Sequence, residues 1–383
     1  SGICAVAASA VLLAVIPPLF DGNWNEWIYR ALTFLVVSCP CALVISVPMS
    51  FFGGIGGASK RGIMVKGANY LEELAKARTF VFDKTGTLTK GSFEVSEINP
   101  AGISEEELLS LCASAEKISN HPIAKSIVRA AEKRSLSMDA ENAEEIAGFG
   151  VKAVVSGKEI FVGNARLMEK NGVSAEKTSA AGTVIYCAAN GKYAGNIVVC
   201  DTPKDNAASA LKKLTELGAD RKIMLTGDRK SAAEAVANAL GIDEVRAELL
   251  PEGKVAAVEE IYSAKPPKST LCFVGDGMND APSLARADVG IAMGALGSDA
   301  AIEAADIVLM NDNIESVPLA VKIARKTHRI VTENIVFALA VKAAVLILTI
   351  IGIGNMWAAV FADVGVSIIA IINAMRAMRT SKL

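Results

Sequence analysis

The stretch that decides the fold is Thr79-Phe80-Val81-Phe82-Asp83-Lys84-Thr85-Gly86-Thr87-Leu88-Thr89, a short apolar run that ends in an acid and a turn rich in hydroxyls and glycine. A carboxylate at the end of a buried strand stands at the edge of the sheet, and backbone N–H groups of the following turn can surround a phosphate. Asp83 is therefore predicted to accept a phosphoryl group, with Lys84 and Thr85 beside it. The alternative is a capped turn without a chemical role. The seven contiguous residues from Asp83 to Thr89 all suit a phosphoryl acceptor, which argues against that alternative.

Two further apolar runs end in the same way. Lys222-Ile223-Met224-Leu225 precedes Thr226-Gly227-Asp228, and Leu271-Cys272-Phe273-Val274 precedes Gly275-Asp276-Gly277 with Asn279 and Asp280 next. The alternation of such runs with amphipathic stretches predicts an α/β domain. Because the strand ends of an open α/β sheet converge on one crevice, we expect the three turns to meet there.

Composition indicates a protein that is partly membrane and partly cytosolic. Hydrophobic residues make up 52% of the 383 residues and charged residues 21%, with a formal net charge of -2. Without a basic surface, nucleic acid is excluded as a partner. A lipid bilayer is the expected partner, because four nearly charge-free runs predict four transmembrane helices: Ile3 to Phe20, Ala31 to Ser59, Ile335 to Gly354 and Met356 to Met375. Flanking Lys and Arg residues place the central region in the cytosol.

The predicted organisation has three parts, two of them discontinuous. Residues 1–59 and 330–383 form two transmembrane hairpins. Residues 60–91 and 197–329 form the α/β phosphorylation domain. Residues 92–196 form an inserted α+β domain with its own helices, at Glu105 to Lys117 and Ile123 to Arg134, and a hairpin at Val151 to Val162.

Cys39-Pro40-Cys41 lies in the middle of the second apolar run. A proline there frees backbone carbonyls, and two flanking thiolates suit a soft ion such as Zn²⁺, Cd²⁺, Pb²⁺ or Cu⁺. The seven cysteines lack the spacing of a disulfide framework and are interpreted as reduced thiols. Two buried cysteines beside an ordinary kink are the alternative.

In their order along the chain, these turns resemble those of the P-type ATPases, which have a haloacid dehalogenase-like phosphorylation domain. Asp83 to Thr89 resembles the phosphorylation motif, Thr226-Gly227-Asp228 the second phosphate-contacting turn, and Gly275 to Asp280 the magnesium loop. Lys254 stands where the family keeps a charge-neutralising lysine, although taken alone it would be a solvated lysine. The resemblance implies that Asp83, Asp276 and the Thr85 carbonyl hold Mg²⁺.

The inserted domain resembles the nucleotide-binding domain of the heavy-metal branch. The implied ATP-binding residues are Glu116, His121, Gly148, Gly150, Gly163 and Asn164. Histidine can orient ATP by hydrogen bonding, and glycine lets the backbone approach the base and ribose.

The last two apolar runs resemble the zinc/cadmium/lead-exporting branch, through Glu333-Asn334 with Lys342 and through Asp363-Val364-Gly365. A charge inside an apolar run costs about 2.5 to 3.5 kcal/mol on insertion scales, so each needs a partner or a function. We hypothesise that Cys39, Cys41 and Asp363 bind a divalent ion, and that Lys342 pairs with Asp363 when the ion has left. A snorkelling lysine is the alternative for Lys342.

The resemblance implies ATP-driven export of Zn²⁺, and also Cd²⁺ or Pb²⁺, through a phosphoaspartate, in a bacterial inner membrane with cytosolic catalytic domains. The chain shows no Thr-Gly-Glu loop, so we expect a pump truncated at its N-terminus that lacks its actuator region as a partner and dephosphorylates slowly. Three alternatives remain open. They are a copper pump, a membrane-tethered phosphatase of the same fold without transport, and a non-catalytic regulator.

Overall fold

The computed structural model describes residues 2–38, 41–136, 139–175, 182–276, 280–294, 299–351 and 356–380. The strands of this part of the chain are β1 (Ile63–Val65), β2 (Ala77–Asp83), β3 (Thr89–Pro100), β4 (Glu141–Ile146), β5 (Gly150–Val155), β6 (Lys158–Gly163), β7 (Thr183–Ala189), β8 (Lys192–Pro203), β9 (Arg221–Leu225), β10 (Glu244–Arg246), β11 (Thr270–Gly275), β12 (Val289–Met293) and β13 (Ile307–Leu309).

The α-helices of the same residues are α1 (Gly2–Val15), α2 (Pro18–Asp21), α3 (Trp24–Ser38), α4 (Cys41–Ser59), α5 (Ala68–Ala75), α6 (Glu105–Glu116), α7 (Pro122–Lys133), α8 (Ala165–Lys170), α9 (Ala207–Glu216), α10 (Lys230–Leu240), α11 (Pro251–Ala264), α12 (Ala281–Arg286), α13 (Asp299–Ala304), α14 (Ser316–Ile350), α15 (Met356–Val360) and α16 (Val366–Ala374). A π-type turn, Phe361–Gly365, joins α15 to α16, and a 3₁₀ turn, Met375–Met378, follows α16.

Seven strands form one sheet, here called the phosphorylation sheet, in the order β1-β13-β12-β11-β2-β9-β10. Every neighbouring pair is parallel except β1 with β13, which is antiparallel. Because β2 lies between β11 and β9, the turns after these three strands meet at one edge of the sheet. This topology places Asp83 at the centre of that edge.

Six strands form a second, antiparallel sheet, here called the insertion sheet, in the order β3-β8-β7-β6-β5-β4. The helices predicted beside it are present as α6 and α7, and the predicted hairpin is present as β5 and β6. Ser104 begins α6 by accepting a hydrogen bond from the Glu107 N–H at 3.1 Å. The two long strands β3 and β8 pair with each other and lead directly to and from the phosphorylation sheet.

Buried apolar side chains cover both faces of the phosphorylation sheet. Phe80 and Phe82 lie in one cluster, and Val81 and Phe273 lie in another. Alternation of side chains along a strand explains why β2, whose last five residues are buried, serves both clusters. The phosphorylation motif therefore follows a strand that is buried on both faces.

Within the described part of the chain, three apolar helical spans are long enough to cross a bilayer by length and composition: Trp24–Ser59, Ser316–Thr349 and Trp357–Met378. The first predicted span differs from the prediction, because its apolar helical segment, Val6–Asp21, is shorter. Pro17 lacks a backbone N–H, and the chain forms a 14-residue α1 and a four-residue α2 there instead of one helix. The second span begins earlier than predicted, at Trp24, and the Arg30–Glu26 ion pair lies within its helix α3.

Candidate phosphorylation, nucleotide and metal sites

Asp83 is the last residue of β2, and its side chain is buried, with the whole residue 4% exposed. The ammonium group of Lys254 lies 2.5 Å from Asp83 Oδ1 and 3.0 Å from Asp280 Oδ1. Lys254 comes from the first turn of α11, which Pro251 begins. The structure thus brings together three residues that the sequence placed in separate motifs.

Burial raises the pKa of Asp83 to about 7, and repulsion from Asp280 adds to the increase, while Lys254 opposes it. Burial alone would lower the pKa of Lys254, but the carboxylates of Asp83 and Asp280 outweigh burial and raise it. Lys254 is therefore held as a cation against the carboxylate of Asp83.

Three carboxylates at this edge fit a hard divalent cation. One oxygen each from Asp83, Asp276 and Asp280 lies within 4.8 Å of the others. An octahedral Mg²⁺ takes oxygen ligands at about 2.0 to 2.1 Å, so one ion can reach such a set. Asp280 is closer to the centre of this group than the sequence suggested, because α12 begins at Ala281 and holds it beside Lys254. Asn279 lies outside the described residues.

The glycine of the phosphorylation turn is required by its neighbours. Gly86 has φ +74°, and a Cβ at this position would lie 2.4 Å from Asp276 Oδ2. Only glycine permits both the backbone conformation and this approach. The Thr85 residue has extended dihedral angles within the turn, at φ -75° and ψ 130°.

Lys84 and the second turn form an ion-paired group. Lys84 Nζ lies 2.5 Å from Asp228 Oδ2 and 3.7 Å from Asp201 Oδ2. The Asp228 N–H donates to Thr226 Oγ1 at 3.1 Å, which shapes the turn that contains Gly227. Lys84, Thr226 and Asp228 are therefore assembled beside Asp83, with Lys84 already neutralised by two acids.

Sequence reasoning missed two residues of this site, Asp201 and Lys204. Thr89 Oγ1 donates to Asp201 Oδ2 at 2.6 Å, and Lys204 Nζ donates to the Gly86 carbonyl at 2.9 Å. Burial raises the pKa of Asp201, while the Thr89 hydroxyl and Lys84 oppose the increase. The available signal was the polar run Asp201-Thr202-Pro203-Lys204 at the end of the apolar β8, where the chain returns to the phosphorylation sheet.

The predicted nucleotide residues line one cavity of about 270 Å³ beside the insertion sheet. Its lining includes Glu116, Ser119, His121, Glu145, Gly148, Gly150, Gly163 and Asn164. Burial raises the pKa of Glu116 to about 7, and Glu145 adds to the increase. His121 Nδ1 accepts from the Ile123 N–H at 3.3 Å and so begins α7, which leaves Nε2 for a ligand. Ser119, which stands in the matching sequence Ser119-Asn120-His121-Pro122, donates to Glu145 Oε1 at 3.2 Å, and Glu145 was not predicted.

Glycine was expected at three positions of this cavity to let the backbone approach ATP. At two of them, Gly150 and Gly163, the structure gives a different reason for the absence of a side chain. A Cβ at Gly150 would lie 2.1 Å from the Val162 carbonyl, and one at Gly163 would lie 2.2 Å from the Phe149 carbonyl. These glycines permit close packing of β5 against β6 and of the loop before it. Gly148, at φ +78°, has no described atom within 4 Å of the place a Cβ would take, so its positive φ rather than close packing accounts for the glycine.

Lys342 and Asp363 approach each other between the apolar helices. Lys342 is 8% exposed, and its ammonium lies 3.5 Å from Asp363 Oδ1 and donates to the Val37 carbonyl at 2.8 Å. Asp363 is carried by the π-type turn Phe361–Gly365. π-Type turns within helices are frequent at functional sites. Val37 belongs to the last turn of α3, shortly before the Cys-Pro-Cys sequence.

Cys41 is the first residue of α4, and Cys39 lies outside the described residues. The structure gives Cys41 as disulfide-bonded, so the prediction of reduced thiols is wrong for this residue, whereas Cys112, Cys187, Cys200 and Cys272 are free. Since the thiolate is the form that binds metal, a metal site at Cys41 requires its reduction.

The comparisons with known proteins agree with this geometry. The haloacid dehalogenase-like hydrolase family matches residues 77–288. The chain is 54% identical over 378 residues to a cadmium, zinc and cobalt-transporting ATPase of Bacillus subtilis, covering 98% of this chain and 54% of the relative. It is 49% identical over 370 residues to a zinc-transporting ATPase of a Synechocystis species, covering 96% of this chain and 51% of the relative. The chain thus spans about half the length of the curated relatives it matches.

Solved structures show the same likeness. A zinc-transporting PIB-type ATPase in its E2.Pi state matches with a TM-score of 0.88 and 39% identity, over 98% of this chain and 62% of that one. The catalytic domain of a CPx-ATPase matches with a TM-score of 0.56 and 31% identity, over 69% of this chain and 97% of that one.

The chain therefore belongs to the haloacid dehalogenase-like hydrolases and, within them, to the heavy-metal P-type ATPases. The predicted fold class is confirmed: a haloacid dehalogenase-like α/β domain, an inserted nucleotide-binding domain and apolar membrane helices.

Proposed function

We propose that this chain uses ATP to export a divalent heavy-metal ion, Zn²⁺ and also Cd²⁺ or Pb²⁺, across a bacterial inner membrane. One observation supports coupling more than any other. The 35-residue α14 is a single helix that packs Val317 and Val321 against the phosphorylation sheet and carries Lys342 among the apolar helices. A rigid element that contacts both sites can transmit a change at one to the other.

The proposal uses the domain division predicted from the sequence. The phosphorylation domain comprises residues 60–91 and 197–329, the nucleotide-binding domain residues 92–196, and the transmembrane hairpins residues 1–59 and 330–383. The two sheets, each with its own buried clusters, agree with this division.

In the phosphorylation step, ATP bound by the insertion sheet presents its γ-phosphate to Asp83. A carboxylate oxygen of Asp83 forms a bond to the γ-phosphorus, the bond to the β–γ bridging oxygen breaks, and ADP leaves with that electron pair. Lys254 offsets the charge at Asp83, and Thr226 with its neighbouring N–H groups lies where a phosphate oxygen would be held. Asp83, Asp276 and the Thr85 carbonyl would hold Mg²⁺, which when bound neutralises charge on the transferred phosphate.

In the transport step, Cys39, Cys41 and Asp363 would bind the ion. Two thiolates and one carboxylate suit a soft divalent ion. When the ion leaves, the Lys342 ammonium replaces it beside Asp363, as in the 3.5 Å pair of the structure. A built-in cation would favour release because it competes with the ion for the same carboxylate. The proposal includes an actuator region as the partner of the phosphoenzyme, as the family resemblance implies.

The test is labelling of the full chain with γ-labelled ATP, under reducing conditions, with and without Zn²⁺. We expect Zn²⁺-dependent label in the parent and no label in Asp83→Asn. In the Cys39→Ala/Cys41→Ala variant, the amount of label should no longer respond to Zn²⁺. Cys187→Ala, a free cysteine in the core of the insertion domain and outside both cavities and the membrane helices, is the control and should label like the parent. Label that needs Asp83 but ignores metal and cysteines would instead support a tethered phosphoryl-transfer enzyme.

A further inference from the structure

A second cavity, of about 450 Å³, lies between the two sheets. From the insertion domain it is lined by Asn164, Thr183 and Tyr186, and from the phosphorylation domain by Lys84, Asp228 and Arg229. Asn164 also lines the nucleotide cavity, so the two cavities adjoin at this residue. A nucleotide whose base lies beside Glu116 can extend its phosphates into the second cavity, which is lined by Lys84, the residue next to Asp83.

Among the described residues, the charges of the second cavity leave one cation without a counter-ion. Four charged side chains line it, and Lys84 is paired with two of them, Asp228 at 2.5 Å and Asp201 at 3.7 Å. Arg229, the fourth, forms no ion pair with any residue that the structure describes. It immediately precedes α10 and makes no side-chain capping bond there, so its guanidinium has no structural role in the helix start.

We infer that Arg229 binds the terminal phosphates of ATP on their way to Asp83. A planar guanidinium can donate two parallel N–H bonds to a phosphate, and such charge-assisted bonds are stronger than neutral ones. The N-terminus of α10, at Lys230, adds N–H groups and a favourable dipole on the same side of the turn. This role deepens the proposed function, on which it rests, by assigning the phosphate end of the nucleotide to a residue of the second turn.

The experiment compares binding of a non-hydrolysable ATP analogue and of AMP to the full chain, in the parent and in Arg229→Ala. Lys230→Ala is the matched control, because it removes the same charge one position later from an exposed side chain that pairs with Glu234 at 3.8 Å. Loss of a charge-assisted bond predicts weakening of the ATP analogue by about tenfold or more in Arg229→Ala. AMP binding should be unchanged in both variants, and Lys230→Ala should bind the analogue like the parent.

Unchanged affinity for the analogue in Arg229→Ala would overturn the inference, as would equal weakening of the analogue and AMP. Thermal unfolding of both variants checks that the chain remains folded. Asp83-dependent labelling decides the proposed function separately. If the parent shows Asp83-dependent label and Arg229→Ala does not change the affinity for the analogue, the proposed function stands and the role of Arg229 is overturned. If Arg229→Ala weakens binding of the analogue but not of AMP, and no Asp83-dependent label is found, the phosphate contact is supported and the proposed pump function is overturned.

Discussion

At the scale of single residues, the phosphorylation turn depends on the absence of a Cβ atom at Gly86. Gly86 lies so close to Asp276 that the two motifs can meet only because glycine has no Cβ. The Lys204 ammonium then binds the Gly86 carbonyl at 2.9 Å and fixes the turn from the other side. A short motif is therefore held in place by residues that are remote in sequence.

Gly86→Ala is expected to lower phosphorylation of Asp83 by about tenfold or more, equivalent to roughly 1.4 kcal/mol of transition-state stabilisation. The new methyl group would displace Asp276 and destabilise the positive-φ backbone. The measurement is the initial rate of labelling from γ-labelled ATP. Gly102→Ala is the control, since Gly102 has φ +79° but no described atom lies within 4 Å of the place its Cβ would take. Equal rates for Gly86→Ala and the parent would contradict the steric argument.

Glu116 is a buried acid whose pKa of about 7 favours the protonated form in the folded state. Between its ordinary pKa of 4.5 and about 7, the folded state binds a proton that the unfolded state does not. Stability from this group is therefore complete below pH 4.5 and is lost as the pH rises through 7.

Glu116→Gln should remove this pH dependence. Relative to the variant, the parent should lose about 2 to 3 kcal/mol of stability between pH 4.5 and pH 8. The measurement is the difference in Tm between parent and variant at both pH values. Glu145→Gln should reduce the effect by lowering the pKa of Glu116, whereas exposed Glu144→Gln should not. A difference in Tm that is the same at both pH values would disprove the linkage.

At the scale of elements, α14 is the helix that contacts both the phosphorylation sheet and the other apolar helices. Its Arg325 guanidinium donates to the carbonyls of Ala75 at 3.3 Å and Ala77 at 3.2 Å, and also to the Leu217 carbonyl. Ala77 begins β2, the strand that ends at Asp83. The helix is thus attached to the first residue of the strand that ends at Asp83.

Arg325→Ala is expected to reduce the stimulation of phosphorylation by Zn²⁺ while ATP binding is retained. Loss of the three bonds should also cost roughly 2 kcal/mol of stability. The measurement is the ratio of labelling with and without Zn²⁺, together with nucleotide affinity. Arg329→Ala is the control on the same helix, because its pair with Glu333 at 3.0 Å is largely exposed and contributes little. An unchanged ratio in Arg325→Ala would show that coupling takes another route.

At the scale of the whole molecule, two charged sites share one chain. Asp83 faces Lys254 at the sheet edge, and Asp363 faces Lys342 between the apolar helices. Both pairs place a lysine ammonium beside a carboxylate that is largely withdrawn from solvent. The pump proposal requires that occupancy of one site alters the other.

Lys342→Met should retain Zn²⁺-dependent labelling but slow metal-stimulated turnover, since the variant has no ammonium at this position to replace the ion beside Asp363. Removing one partner of a buried pair leaves the other charge uncompensated, at a cost of about 3 to 5 kcal/mol, which favours retention of the metal. The measurements are steady-state ATP hydrolysis and the amount of Zn²⁺ that remains bound. Asp363→Asn should instead lose metal-dependent labelling. Parent-like turnover in Lys342→Met would count against the counter-charge.

The sequence by itself determined most of the elements and the family. Apolar runs ending in Asp83, Thr226 and Asp276 were readable as strands with functional turns, and they are β2, β9 and β11. Three of the four long charge-free runs were readable as helices that could span a membrane, because the local pattern of apolar residues sets both kinds of element. The order of the motifs along the chain was sufficient to recognise the family.

Only the tertiary structure decided which side chains meet. Lys254 and Asp83 are 171 positions apart, and Lys204 and Gly86 are 118 apart, so no local pattern reveals either contact. The sequence likewise does not reveal the surroundings of Arg229. Lys84 pairs with both Asp201 and Asp228, and Arg229 has no ion pair within the described part of the chain, so its charge is available to a ligand. Burial, neighbouring charge and close backbone approach are properties of the packed chain, and they determine the pKa values and ion pairs on which the chemistry depends.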